Sequence, residues 1–317
     1  MGVDATPGLG SDGGGFAETL FELAGCSGGM GGAERLPAAP VRRFGCVGGV
    51  GFSVLGSSSR GNCAVVRVGD SSNYRLVLLD AGFSPSKTRR LLGEIGLDAR
   101  RVCAVLVTHL HRDHLHEGWV RGMPADARFF VHERHRAWAK RAGVLYRKTE
   151  VFGEGEDFGV AGLRARAALA PHDDVGSAVF RLGGLLGCGR EVSVGYATDV
   201  GEVPASVEGL LRGVDVLAIE SNYCPELQVR SGRHPVLIDR VMAGRGHLSN
   251  EACAAVVGRV CPGRALLLHL SRECNEVGRA LGAHAGCGCP VEAVAPIGPG
   301  ELIEMGGLGG GVGLPRS

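Results

Sequence analysis

The apolar run VCAVLVT, Val102–Thr108, passes without a break into HLHRDHLHEG, which sets four histidines and an aspartate between His109 and His116. The run is uniformly apolar rather than alternating, as fits a strand buried on both faces. The whole chain has only 11 histidines, so four at the end of one buried segment need a common explanation. His109 and His111 are two apart, and in an extended segment they project to the same side and can share one ion. Asp113 and His114 follow after a bend and can reach a second. Imidazole nitrogen with carboxylate oxygen suits zinc, manganese or iron better than calcium. One cluster cannot close two coordination shells, so further ligands must come from elsewhere. Three candidates stand at strand or loop ends: His172 in APHDD, Asp199 in YATDVG and His269 in LLLHLS.

The rest of the chain reads as strands interspersed with helices, with polar residues gathered where strands end. GFSVLGSSS, NCAVVRVG and YRLVLLDAG are β-rich runs separated by turns. SPSKTRRLLGEIG opens on serine and proline and then takes helical apolar spacing. ARFFVHE, EVSVGYATDVG, VDVLAIESNY and RALLLHLSREC are further strands, and SNEACAAVVGRVC is a helix with Ser249 as its N-cap. Polar side chains above the ends of an apolar sheet are where open sheets carry their sites. Residues 1–48 are Gly-rich, as is the tail over 306–317, and both are expected to be disordered. That leaves 49–305 as the folded domain.

Composition narrows the class. A hydrophobic share of 44% and a charged share of 21% suit a globular enzyme. A net charge of +1 gives no global basic field, so any nucleic-acid contact has to be local. The 11 cysteines follow no disulfide spacing and read as reduced thiols, which with the lack of a signal-peptide pattern or a membrane-length apolar run implies a cytoplasmic protein.

THLHRDH fits the HxHxDH motif, and the chain resembles the metallo-β-lactamase fold hydrolases. Asp80 in LLDAG, His172, Asp199 and His269 fall in the order of that superfamily's other motifs. The resemblance implies an α/β, four-layer αββα sandwich over 49–305. It also implies two divalent metal ions, Zn²⁺ or Mn²⁺. His109, His111 and His172 would bind the first, and Asp113, His114 and His269 the second. Asp199 would bridge them, and Asp80 would steady the motif loop by hydrogen bonds. Such a pair of ions holds a hydroxide between them and clamps a substrate oxygen. His116 has no counterpart among the ligands, and His132, His135, His234 and His284 are taken as ordinary surface or structural histidines.

Three features point to a phosphodiester. The site is oxygen-containing and hard. GHLSNEA precedes LLLHLSREC as in the ribonuclease Z branch, where a histidine at the place of His247 is paired with a glutamate at the place of Glu220. By that resemblance His247 sits near the leaving oxygen, Glu220 fixes its tautomer, and Asp113 completes the catalytic set. Finally, VLGSSSRGN, LLDAGFSPSKTRRLL, IESNYCPELQ, GHLSNEAC and HLSRECN together are similar to the WalJ (YycJ)-like group, described as 5′→3′ exonucleases on double-stranded DNA. Two departures are an aspartate at 174 and a cysteine at 274. DNA is thus the expected substrate, with no membrane partner.

Candidate substrate contacts are Ser58, Arg60 and Asn62 in GSSSRGN, Asn222 in IESNY, and Ser249 and Asn250 in HLSNE. The GSSSRGN loop reads equally as a hairpin turn or as a phosphate cradle. RFFVHERHRAWAKRAGVLYRK, Arg128–Lys148, reads either as a solvated helix face or as a patch for the phosphate backbone. The span from Asp199 to His269 has no room for a large inserted nucleic-acid clamp. Two alternatives stay open: an RNA or small-molecule phosphodiesterase, and a metal-binding regulatory protein without turnover.

Overall fold

The computed structural model describes residues 46–306. The Gly-rich extension expected over 1–48 lies outside them for residues 1–45, as does the tail from 307. In chain order the first half supplies β1 (Cys46–Val47), β2 (Val50–Ser58), β3 (Gly61–Gly69), β4 (Tyr74–Leu79), α1 (Pro85–Glu94), β5 (Val102–Val107), α2 (Gly118–Gly122), β6 (Arg128–His132), α3 (Arg136–Arg141) and β7 (Thr149–Phe152). The second half supplies β8 (Asp157–Val160), β9 (Leu163–Ala170), β10 (Ser177–Leu186), β11 (Glu191–Ala197), α4 (Ala205–Leu211), β12 (Val216–Glu220), α5 (Pro225–Val229), α6 (Pro235–Met242), α7 (Asn250–Val260), β13 (Arg264–Leu268), α8 (Val277–Ala283), β14 (Val291–Ala293) and β15 (Ile303–Met305).

The strands form two sheets. One runs β15-β2-β3-β4-β5-β6-β7, the other β14-β13-β12-β11-β10-β9-β8 with β1 beside β10. Side-chain alternation along each strand then builds three apolar layers. Ala104 and Leu106 of β5 point into the space between the sheets, where they join Phe52, Val77, Phe180 and Tyr196. Val105 and Val107 point the other way and pack with Leu91, Leu92, Trp119 and Ala139 of the outer helices. On the far side, Leu217, Ile219 and Leu267 meet Val207, Leu211, Val256 and Ala280 of α4, α7 and α8. Helices, sheet, sheet, helices is the four-layer sandwich expected from the sequence. It also explains why VCAVLVT has no polar face: both faces of β5 are covered.

Local signals place several elements. Ser84 accepts from the Lys87 amide at 3.3 Å ahead of Pro85, which starts α1. Ser249 accepts from the Ala252 amide at 3.1 Å and caps α7.

Topology then sets the site. β4 and β5 are parallel, as are β11, β12 and β13, so two of these strands end in one direction in the first sheet and three in the second. Those two sets of ends meet: the Ala178 amide donates to Thr108 O at 2.9 Å, and the His269 amide donates to Ser57 Oγ at 3.0 Å. Asp80 follows β4 directly with φ 57°, Asp199 lies just beyond β11 with φ 52°, and His269 follows β13 with φ 53°. Left-handed backbone at a residue with a Cβ costs on the order of 1–3 kcal/mol, and Asp, Asn and His are the types that enter it most readily. At each of these strand ends the chain turns sharply while a polar side chain is held over the sheet.

Candidate metal centre

The sequence expectation was a convergence of distant side chains, and their positions can be stated one by one. His109, His111, His172 and Asp199 offer ligand atoms that all lie within 4.8 Å of one another. Asp113, His114 and Asp199 form a second group, and Asp199, Glu220, His247 and His269 a third. Asp199 is common to all three. His269 is therefore brought together with Glu220 and His247 across Asp199, and its ring centroid is 6.5 Å from that of His114. His116 belongs to none of these groups; its Nδ1 accepts from the Gly118 amide at 3.0 Å.

Hydrogen bonds to the far side of the rings aim them. His114 Nδ1 lies 2.8 Å from Asp80 Oδ2, so the ring donates there and presents Nε2 to Asp199 Oδ2, also at 2.8 Å. Asp80 is fully buried and accepts in addition from the Thr108 amide, the Thr108 hydroxyl and the Tyr196 hydroxyl. His172 Nδ1 donates to Gly246 O at 3.1 Å, leaving Nε2 for the cluster. His111 Nε2 is 3.1 Å from Asp173 Oδ2, and His111 Nδ1 is 3.0 Å from His109 Nε2. Asp173 is a carboxylate that sequence reading passed over in favour of its neighbour, Asp174. The signal was there in its adjacency to His172, but nothing local distinguishes the two aspartates.

The His135 ring also serves the site. It is buried and donates from Nε2 to Gly176 O at 2.9 Å, while the Gly176 amide donates to His172 O at 2.7 Å. It is a structural histidine, as expected, and the structure it supports is the His172 loop.

Electrostatics follow from burial among opposite charges. Burial penalises the Asp199 carboxylate, yet His269, His114 and His109 around it hold it well below the usual carboxylate range. Burial pulls His269 down, but Asp199 at 2.7 Å and Glu220 at 3.4 Å together hold it up at about 10. His114 is likewise raised well above an ordinary histidine, against its burial, by Asp199, Asp80 and Asp113. His109, with more histidine than carboxylate around it, is driven well down by burial.

Four buried polar atoms, Asp199 Oδ1, Glu220 Oε1, His247 Nδ1 and His269 Nδ1, stand close together without a properly aligned hydrogen bond among them. Buried polar groups left in that state are costly. Glu220 Oε1 and His247 Nδ1 have each other at 2.6 Å, whereas Asp199 Oδ1 and His269 Nδ1, crowded among further imidazoles and carboxylates, are donors a divalent transition-metal ion satisfies. The residues present fit such an ion.

His247 Nδ1 lies 2.6 Å from Glu220 Oε1, and Glu220 Oε2 accepts from the Val200 amide at 2.7 Å. Burial lowers His247, but Glu220 and then Asp199 raise it above the ordinary value. His247 lines a cleft of about 220 Å³ over the cluster, together with Ser59, Asp173, Leu237 and Arg240. The last two come from α6.

The expected substrate contacts divide. Arg60 is exposed at the tip of the β2–β3 turn. Ser58 is buried and its Oγ accepts from the Arg60 amide at 3.3 Å. Asn62 is fully buried: its amide nitrogen is 3.1 Å from His114 Nε2 and its oxygen accepts from Ser57. Asn250 is spent between Ser221 and Asn275, and Asn222 donates to His269 O at 2.7 Å. Ser249 is the cap of α7. Direct contact with substrate does not fit Asn62 or Asn250, whose amides are sealed in the scaffold that carries the histidines.

Comparison with known proteins agrees with this geometry. The family model described as the beta-lactamase superfamily domain matches residues 75–270. The chain is 29% identical over 247 residues to a Streptococcus pneumoniae protein named exodeoxyribonuclease WalJ, covering 72% of this chain and 84% of that protein. It is 26% identical over 238 residues to exodeoxyribonuclease YycJ of Bacillus anthracis, with the same coverage. Among solved structures, the metallo-beta-lactamase fold protein YhfI from Bacillus subtilis aligns with a TM-score of 0.60 at 14% identity, over 81% of this chain and 100% of that one. The short form of human tRNase Z aligns with a TM-score of 0.54 at 14% identity, over 80% and 99%.

Proposed function

The chain belongs to the beta-lactamase superfamily and is a metal-dependent hydrolase, and from that premise we propose that it is a DNA exonuclease working through two divalent ions. The observation that carries the reading is the His247–Glu220 pair, 2.6 Å apart and set beside Asp199 at the lip of the cluster. A thioester expels a thiolate that needs no proton and gives that pair no task, whereas a phosphodiester has a poor leaving oxygen that needs one. The relatives named as exodeoxyribonucleases support DNA as the substrate class. The 5′→3′ direction rests on the resemblance of the flanking words to the WalJ (YycJ)-like group.

In this reading His109, His111 and His172 would hold one ion and Asp113, His114 and His269 the other, with Asp199 available to both. Divalent ions there would supply Lewis acidity toward water and the phosphate oxygens. The protein's own part is positional and acid–base. Asp80 and Asp173 fix the tautomers of His114 and His111. Glu220 favours the protonated form of His247, so that its Nε2, the nitrogen left over from the Glu220 contact, can give a proton to the departing oxygen.

The test is a comparison of 5′-phosphorylated duplex DNA, RNA and bis(p-nitrophenyl) phosphate with protein loaded with Zn²⁺ or Mn²⁺. Nucleotide release from DNA that Asp113→Ala and His114→Ala abolish supports the proposal. RNA cut in preference to DNA would replace the substrate class. Intact substrates throughout, with metal bound, would leave a regulatory metal protein.

A further inference from the structure

Beside the catalytic cleft lies a second one of about 410 Å³, lined by Trp138, Asp173, Asp174, Arg240 and Arg245. The two share Asp173 and Arg240 in their walls, so they are neighbours. We propose that this neighbouring cleft is a nucleotide subsite in which Trp138 stacks the base flanking the scissile phosphate while Arg240 and Arg245 hold the adjoining backbone phosphate. The inference rests on the nucleic-acid reading above and adds to it the residues that grip the strand.

Several observations bear on it. The volume is within the roughly 300–1,000 Å³ of small-ligand sites, enough for a nucleotide. Trp138 is half-buried, with its ring centroid 6.1 Å from that of His111. Among the described residues its indole has no hydrogen-bond partner, in contrast to Trp119, whose Nε1 donates to Phe83 O in the outer apolar layer. Arg141 stands 5.9 Å from the Trp138 ring. Around it on α3 and its approach, Arg134, Arg136, Lys140 and Arg141 are exposed and none has a carboxylate partner among the described residues, though Arg128 and Lys148 of the same stretch do. Across the cleft, Arg240 is tied to Asp173 at 2.7 Å through one nitrogen, which leaves its other donors for a phosphate. Asp173, Asp174 and Glu133 oppose this field. Asp173 is already paired with Arg240 and accepts a hydrogen bond from His111. An aromatic face with flanking cations is how single-stranded nucleic acid is bound without sequence preference. Arg134, Arg136, Lys140 and Arg141 thus add positive charge on the Trp138 side of the cluster.

The chain has only two tryptophans, which makes the test direct. Chelator-treated protein is titrated with a 5′-phosphorylated octathymidylate, and tryptophan emission and oligonucleotide anisotropy are read together. Trp119 is buried beneath the sheet, so a saturable quench reports Trp138. The expected result is a quench that tracks anisotropy. Trp138→Leu is expected to weaken binding by roughly 5- to 150-fold, the range for loss of one base–aromatic stack, with Trp138→Phe recovering most of it. Arg240→Gln and Arg245→Gln should each lower the salt dependence of binding by about one counterion. Binding with unchanged emission, or equal affinity in Trp138→Leu, overturns the subsite and leaves the nuclease reading standing. No binding of any oligonucleotide, with turnover of bis(p-nitrophenyl) phosphate retained, removes the nucleic-acid reading and the subsite with it.

Discussion

Replacing Asp80 by asparagine is a severe test of how the metal centre is held. The two carboxylate oxygens divide their donors. Oδ1 takes the Thr108 amide at 2.9 Å, and Oδ2 takes His114 Nδ1 at 2.8 Å and the Tyr196 hydroxyl at 3.3 Å. The Thr108 hydroxyl lies 3.0 Å from each. A backbone N–H cannot become an acceptor, so the asparagine oxygen must stay at the Oδ1 place. Its NH₂ then faces His114 Nδ1. The imidazole has to accept there and move its proton to Nε2, the nitrogen that points at Asp199. Asparagine tolerates the φ of 57° at this position, so the backbone need not change. The stability cost is the loss of charge-assisted bonds, about 1.5–3 kcal/mol. The functional cost is larger in kind: a His114 with its proton on Nε2 cannot ligate, and loss of such an orienting carboxylate lowers metal affinity by roughly 10- to 100-fold. A competition titration against a fluorescent chelator near neutral pH, with a thermal melt of the same samples, measures both. Wild-type metal affinity in Asp80→Asn would refute the argument that tautomer control by Asp80 sets the site.

Other expectations follow from the same geometry. His269 is held at about 10, above its unfolded value, so its contribution to stability is complete below pH ~6.5 and lost as pH rises through about 10. The melting midpoint of chelator-treated protein should fall over that window, and metal loading near neutral pH should release protons measurable by calorimetry in two buffers; a flat profile and no proton release would contradict the pairing. His247→Ala should cost roughly 10²–10⁴-fold on DNA and far less on bis(p-nitrophenyl) phosphate, whose leaving group needs no proton; equal losses would remove the acid role. Gly82→Ala should displace the motif loop, because a Cβ there would come 1.8 Å from Asp113 O and 2.7 Å from the Asn62 amide nitrogen. That overpacking is expected to cost about 1–3 kcal/mol or more and to strip metal from the site; a fully metal-loaded, equally stable variant would show the loop to be more yielding than its packing implies.

Much of this was legible in the chain, and for identifiable reasons. VCAVLVT announced a strand covered on both faces, and β5 is covered on both. HxHxDH and the strand-end positions of Asp80, Asp199 and His269 were readable because parallel strands of a sandwich gather their C-terminal ends, so polar residues after apolar runs come together. What sequence could not supply was the direction of small polar side chains. Asn62, Asn222 and Asn250 have the composition of substrate contacts, yet each is turned inward onto the scaffold, a choice made by tertiary hydrogen bonds invisible to local pattern. Nor could it supply the lip of the cleft. HPVLIDRVM forms α6, with Pro235 at its start, but its one and a half apolar turns carry too little periodicity to announce that Arg240 would meet Asp173, 67 positions away in the chain.

Metal stoichiometry of Asp199→Ala tests the central claim most directly, since Asp199 alone belongs to all three ligand groups. Elemental analysis of purified, Zn²⁺-saturated and desalted protein should find close to two ions per chain in the wild type and less than one in Asp199→Ala, while Asp174→Ala, in the loop next to the site, keeps two. Equal metal content in wild type and Asp199→Ala would mean that these side chains do not converge on shared cations, and the hydrolytic mechanism drawn from them would fail.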